Sequence, residues 1–167
     1  QVVLDIGEEG NKNKKIFNKL MNIEFSSDRK RESIIVSESN GLIKLYIKGA
    51  DSIIEERLNF DLTPPSVLEK TRKFVGLFSA QGYRTLYVGM RVLSQKEYGT
   101  FSENLLKAQM DANNKDEKVK EAYAMVEKNI TLLGATIVED KLQDNVSDVL
   151  KSPTKLQQIH PEFISLI

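Results

Sequence analysis

A short loop between two apolar runs constrains the fold of this chain more than any other feature. Residues 33–37 and 42–47 are rich in β-branched and aromatic side chains, and the loop between them contains Asn40 and Gly41. Asn-Gly is favoured in hairpin turns because both residues tolerate the positive φ angles that such turns need. The segment therefore predicts two antiparallel strands joined by a tight connection.

Helical and extended patterns are mixed along the rest of the chain. Thr63 is a predicted N-cap ahead of Pro64, and Ser94 with Glu97 forms a predicted capping box. Residues 15–25 fit a helix or a strand. The other predicted elements are strands at 2–6, 83–93 and 131–138, and helices at 51–58, from 63 to Gly82, over 94–130 with a break near 112–116, and around 142–150.

This mixture of elements, with at least one hairpin, favours an α+β fold. We expect a largely antiparallel β-sheet flanked by helices rather than a doubly wound parallel sheet. The predicted core comprises Ile35, Leu45, Ile47, Leu68, Val75, Leu86, Val88, Val126, Leu132 and Ile137.

Composition excludes several classes of function. The 167 residues suit one domain, and 24 basic residues balance 24 acidic ones, which argues against a polycation built for nucleic acid. The chain has no cysteine and a single histidine, His160, so thiolate catalysis and multi-histidine metal sites are excluded. No apolar run approaches the ~20 residues of a membrane span. With no Walker, Rossmann or nucleophile-elbow motif, a complete hydrolase is disfavoured, and we predict no catalytic or metal-binding residue.

Two cationic segments are candidates for ligand contacts. Lys48 ends a predicted strand and is followed by Gly49 and Ala50, so a flat ligand can approach the backbone closely there. Arg84 starts a later strand and could reach a phosphate or a carboxylate. On the residues alone, a strand-to-helix turn with an exposed lysine and a plain surface arginine are equally good interpretations.

Two further segments have less ordinary patterns. Phe25 ends an apolar run and is followed by the basic turn at residues 29–31, for which the simplest interpretation is a solvated loop with Phe25 in the core. The predicted strand 131–138 runs directly into the charged residues 139–141. Charges at the exit of a buried strand commonly mark a domain edge or a hinge.

Taken in order, these four segments resemble the nucleotide-binding domain of P-type ATPases, and in particular the type-four group, the phospholipid flippases. The resemblance covers roughly residues 14–146. It is carried by the blocks Phe-Ser-Ser-Asp-Arg-Lys-Arg-x-Ser, Leu-Tyr-x-Lys-Gly-Ala-Asp-Ser, Gly-x-Arg-Thr-Leu and Leu-Leu-Gly-Ala-Thr-x-x-Glu-Asp-Lys-Leu-Gln.

The resemblance implies that this chain holds the adenosine end of ATP. The γ-phosphate would pass to an aspartate of an Asp-Lys-Thr-Gly motif, which this chain lacks, in another domain of a longer parent enzyme that uses Mg²⁺. The implied site consists of Phe25 stacking on adenine, Ser27 lining the nucleotide, Lys48 with Gly49 and Ala50 at the adenine pocket, Arg84 reaching the ribose and phosphates, and Asp140 and Lys141 near the hinge.

The resemblance also implies a context for the chain. Residues 1–138 would be a nucleotide-binding domain that lacks an upstream acidic loop, and residues 139–167 a return hinge followed by a tail that does not match. The expected partners are ATP and the phosphorylation and actuator domains of the parent, with no nucleic acid and no direct membrane contact. We therefore expect a cytoplasmic domain of an integral membrane protein that is not catalytic alone.

One position departs from the family pattern. Glu32 stands where the family usually has methionine, which is expected to add a negative charge near the basic turn.

A non-enzymatic interaction module is the alternative hypothesis. In that case the basic turn 29–31 and the helices within 103–130 would form a docking surface for another protein. This alternative predicts that Phe25 belongs to the core and not to a ligand site.

Overall fold

The described part of the chain is organised around a six-stranded antiparallel sheet in simple up-and-down order. The computed structural model describes residues 2–6 and 13–139, with side chains from residue 16 onward. Each strand pairs with its sequence neighbours. The strands are β1 (Val2–Ile6), β2 (Asn13–Ser26), β3 (Arg31–Glu38), β4 (Ile43–Gly49), β5 (Arg84–Leu93) and β6 (Thr131–Val138).

Two pairs of helices interrupt the run of strands. The first pair, α1 (Asp51–Glu55) and α2 (Pro65–Ser79), connects β4 to β5. The second pair, α3 (Gln95–Met110) and α4 (Lys115–Val126), connects β5 to β6. The predicted α+β class with an antiparallel sheet is thus confirmed. Within the described ranges, no helix combines the length and the apolar character needed to span a membrane.

The β3–β4 hairpin is confirmed, and its loop has three residues. Glu38 and Leu42 form the closing pair through a Glu38 N–H to Leu42 O bond of 2.9 Å. Gly41 has a φ of +82°, the left-handed value that glycine adopts most easily. This loop length fixes the register, in which Glu32 lies opposite Lys48 and Ile34 opposite Tyr46.

Other local predictions have mixed outcomes. The ambiguous residues 15–25 belong to the long strand β2. The capping box is confirmed, since Ser94 Oγ accepts from Glu97 N–H at 3.2 Å and Glu97 Oε2 accepts from Ser94 N–H at 2.8 Å. Thr63 is not the N-cap, because its buried hydroxyl instead accepts a bond from Leu132 N–H in β6. The predicted helix around 142–150 lies outside the described residues.

The helices pack on one face of the sheet, here called the covered face, and form a single core with it. This core combines sheet residues with helix residues such as Ile54, Phe101 and Val126. Six core predictions are confirmed, because each of these side chains is at most 5% exposed: Ile35, Leu45, Ile47, Val75, Val126 and Leu132.

The core prediction was wrong for β5. Tyr87 and Gly89 point to the covered face, whereas Leu86 and Val88 are half-buried on the other side. A Cβ at Gly89 would lie 2.3 Å from Cγ2 of Ile130, so only glycine lets Ile130 pack against this strand. Both faces of β5 carry apolar residues, and alternation alone could not identify the inner one.

Two other core assignments need correction. Ile137 is 40% exposed, because it lies near the end of β6, an edge strand with a neighbour on one side only. Leu68 is half-buried and packs against the margin of the core.

A buried carboxylate joins the end of α4 to β3 and to the turn before it. The side chain of Glu127 is 0% exposed and forms an ion pair with Arg29. It also accepts hydrogen bonds from Arg31 Nε at 2.7 Å and Ser33 Oγ at 2.6 Å. The guanidinium of Arg29 lies 5.2 Å from the ring centre of Tyr123. Burial lowers the pKa of Arg29, and the charge of Glu127 opposes that shift.

These contacts correct the expectation for the basic turn. Arg29 is 8% exposed and Arg31 is 7% exposed, so only Lys30 of the three faces water. The side chains of Arg29 and Arg31 thus belong to the interior of the fold, and the turn does not form a solvated basic patch.

We predict that Glu127→Gln destabilises the domain by about 3–5 kcal/mol. The substitution keeps the shape of the side chain but leaves two buried guanidinium groups without their counter-charge. Urea unfolding followed by circular dichroism measures the effect. Glu121→Gln, on the exposed side of the same helix, is the matched control and should change stability by less than about 0.5 kcal/mol. Equal unfolding midpoints for the two variants would contradict the prediction.

Candidate functional site

The face of the sheet opposite the core helices, here called the open face, carries a shallow groove. Glu32, Lys48 and Val88 form one cross-strand row, and Ile34 and Tyr46 lie in the next. Side chains opposite each other in such rows are about 5 Å apart at Cβ. Together with Asn22 and the adjoining backbone they line a groove of about 280 Å³. The groove thus has an apolar floor and one charged pair.

Lys48 and Glu32 form that charged pair. The distance from Lys48 Nζ to Glu32 Oε1 is 2.7 Å, and the two side chains are 52% and 39% exposed. The carboxylate that Glu32 adds beside the basic turn points to Lys48 on the open face, whereas Arg29 and Arg31 bind Glu127 on the covered face. Sequence analysis singled out Lys48 but missed its partner, which only the register of the hairpin identifies.

A β-bulge places Phe25, together with Glu24, opposite Glu32. Ile23 pairs with Ser33 and Ser26 pairs with Arg31, which leaves two residues of β2 opposite Glu32 alone. Phe25 is 59% exposed, so the interpretation of this residue as part of the core was wrong. Because neighbouring strands are about 4.8 Å apart, β2 and β4 are separated by roughly 10 Å, with Glu32 between them.

Gly49 and Ala50 support the turn that follows Phe25. A Cβ at Gly49 would lie 2.6 Å from the Cβ of Arg31 and 2.7 Å from the carbonyl oxygen of Lys30. The N–H of Ala50 donates to that same carbonyl at 3.1 Å. The small residues after Lys48 therefore allow two strands to approach closely. Ser27 is exposed in the same turn.

Arg84 lies on the open face and is the first residue of β5. It is exposed and shares its side of the strand with Leu86 and Val88. Arg84 is four positions before Val88, which corresponds to about 13 Å along the strand. A ligand that contacts both Lys48 and Arg84 would therefore have to be elongated. Asp140 and Lys141, the other predicted site residues, lie outside the described residues.

Candidate metal ligands do not cluster in the part of the chain that the structure describes. No three acidic or histidine side chains come together there. The proposed function assigns no metal ligand to the described residues.

Comparisons with known proteins agree with the pattern of the four sequence blocks. Residues 2–145 match the family described as P-type ATPase, cytoplasmic domain N. Phospholipid-transporting ATPase IC of Mus musculus is 36% identical over 155 residues, which is 93% of this chain and 12% of that protein. Phospholipid-transporting ATPase DRS2 of Saccharomyces cerevisiae is 41% identical over 132 residues, or 78% of this chain and 10% of that protein. The chain spans about a tenth of the length of these relatives.

We predict that Gly49→Ala destabilises the domain by about 1–3 kcal/mol, the usual cost of forcing extra volume into a packed site. The neighbouring atoms are backbone and Cβ atoms, which cannot move independently of the strands. Gly76→Ala is the matched control, because nothing lies within 4 Å of a Cβ there and the position is helical. It should stabilise by about 0.5–1 kcal/mol. Thermal unfolding of both variants tests the prediction, which fails if the two shifts have the same sign.

Proposed function

Because this chain belongs to the family of P-type ATPase cytoplasmic N domains, we propose that it binds ATP on the open face of its sheet. The expectation of a cytoplasmic domain agrees with that family. One observation carries the proposal: exposed Phe25 and Lys48 lie on the two strands that flank Glu32, and Glu32 and Lys48 line an apolar groove.

The chemistry of these residues suits a nucleotide. An aromatic ring gives adenine a stacking surface worth about 0.5–1.5 kcal/mol beyond area burial. Lys48 can hydrogen-bond the base or sugar, and Arg84, farther along the same face, can complement phosphate oxygens. The proposed ligand contacts are therefore Phe25, Ser27, Lys48 and Arg84, with Gly49 and Ala50 shaping the turn. We expect a dissociation constant on the order of millimolar, about −4 kcal/mol, for the isolated chain.

We further propose that the chain acts within a phospholipid-translocating P-type ATPase, as the names of its relatives indicate for those proteins. This domain would hold the adenosine end of ATP and leave the γ-phosphate free for an aspartate in the phosphorylation domain. Residues 1–138 would form the nucleotide-binding unit. Residues 139–167, with Asp140 and Lys141, would return the chain toward the phosphorylation domain, and the actuator domain would be a further partner.

The interaction-module hypothesis is less well supported. It relied on a basic surface at residues 29–31, but Arg29 and Arg31 are buried against Glu127. It also placed Phe25 in the core, where the exposure of that side chain argues against it.

We predict that Phe25→Ala weakens ATP binding by roughly 2- to 10-fold and leaves stability within about 0.5 kcal/mol of the original. The ring is exposed, so its loss removes a stacking surface but little packing. Amide NMR shifts during ATP titration give the affinity, and urea unfolding gives the stability.

Phe60→Ala is the control, because Phe60 is 56% exposed and lies in the loop between α1 and α2. It should leave ATP affinity unchanged. Loss of stability without loss of affinity in Phe25→Ala would favour the interaction module. An absence of shifts around Phe25, Lys48 and Arg84 at high ATP would overturn the proposed function.

A further inference from the structure

The ion pair in the groove points to a role for Glu32 in setting nucleotide affinity. We propose that Glu32 occupies Lys48 in the free domain, competes with ATP for this lysine and thereby lowers the affinity for ATP. This inference rests on the proposed function and deepens it, because it concerns how tightly the same site holds its ligand.

The position of Glu32 allows it to compete directly with a ligand for Lys48. The two residues are opposite each other in the register of β3 and β4, and both side chains line the groove. Lys48 Nζ and Glu32 Oε1 are 2.7 Å apart, so the two charges are in direct contact as an ion pair. A ligand oxygen or nitrogen that reached Lys48 from the open face would have to take the place of this carboxylate, or share the ammonium with it.

The exposure of the pair makes the exchange feasible. Lys48 is 52% and Glu32 is 39% exposed, so water solvates both partners when they separate. Exposed ion pairs of this kind change an equilibrium constant by up to roughly fivefold. Glu32 would therefore weaken ATP binding without abolishing it.

A second pair on the same two strands offers a matched comparison. Lys44 in β4 pairs with Glu38 at the end of β3, so the pair has the same chemistry. Neither residue lines the groove. Removing the carboxylate of Glu38 changes the net charge of the protein by the same amount as removing that of Glu32. Only the second change leaves Lys48 without its partner in this pair.

The test is a double-mutant cycle on the 167-residue chain. ATP titrations followed by amide NMR shifts compare the original chain with Glu32→Gln, Glu38→Gln, Lys48→Met and the combination of Glu32→Gln with Lys48→Met. We expect Glu32→Gln to raise ATP affinity by roughly two- to fivefold. Glu38→Gln should leave it unchanged, and the gain from Glu32→Gln should disappear when Lys48 is absent.

Each other outcome overturns the inference. Unchanged or weaker binding by Glu32→Gln would mean that the carboxylate is neutral or contacts the nucleotide itself. An equal gain from Glu38→Gln would indicate a general effect of charge. A gain that persists with Lys48→Met would show that Glu32 repels ATP directly. If Phe25→Ala still weakens ATP binding in these cases, the proposed function stands, whereas no binding by any variant overturns both.

Discussion

The carboxylate of Glu127 is the interaction on which the arrangement of the site depends. It lies at the end of α4, fully buried, and it contacts Arg29, Arg31 and Ser33 at once. These three residues belong to the start of β3 and the turn before it. Phe25 lies directly ahead of that turn, and Gly49 packs against its last residues. A charge on the covered face therefore fixes the backbone that carries the groove on the open face.

The alternation of side chains along β3 and β4 places the cations of this neutral chain on opposite faces of the sheet. Arg31 lies on the covered face, and its neighbour Glu32 lies on the open face with Lys48. Alternation along a strand thus separates two ion pairs that are adjacent in sequence but different in environment. The inner pairs are buried and support the fold, while the outer pair is solvated and open to exchange with a ligand. Net charge, which is zero, conveys none of this.

Local chemistry made much of the fold predictable. The Asn40-Gly41 hairpin and the Ser94–Glu97 capping box each depend on a few neighbouring residues, and both are present. The inner face of β5 was not predictable, because apolar residues occur on both sides and the position of Gly89 beneath Ile130 is a tertiary contact. Thr63 illustrates the same limit, since its hydroxyl accepts a hydrogen bond from Leu132, 69 residues away, and does not cap the helix that follows it.

The site was only partly predictable for related reasons. Motifs singled out Lys48 and Phe25, but the pairing of Lys48 with Glu32 depends on a three-residue hairpin loop. A loop one residue shorter would move every pair by one position. Arg29 and Glu127 are 98 residues apart in the chain, so no local pattern predicts that the basic turn is buried.

The bulge between Ile23 and Ser26 makes the site depend on the number of residues in this part of β2. Ile23 and Ser26 pair with Ser33 and Arg31, residues of the covered face, and regular alternation would allow one residue between them. Two residues are present, Glu24 and Phe25. A single-residue deletion here would restore regular alternation between Ile23 and Ser26 and preserve the pairing on both sides, yet only one side chain would remain beside Glu32. Among related sequences, a gap of one position at this point would thus mark a domain that keeps its fold and changes what its surface offers a ligand.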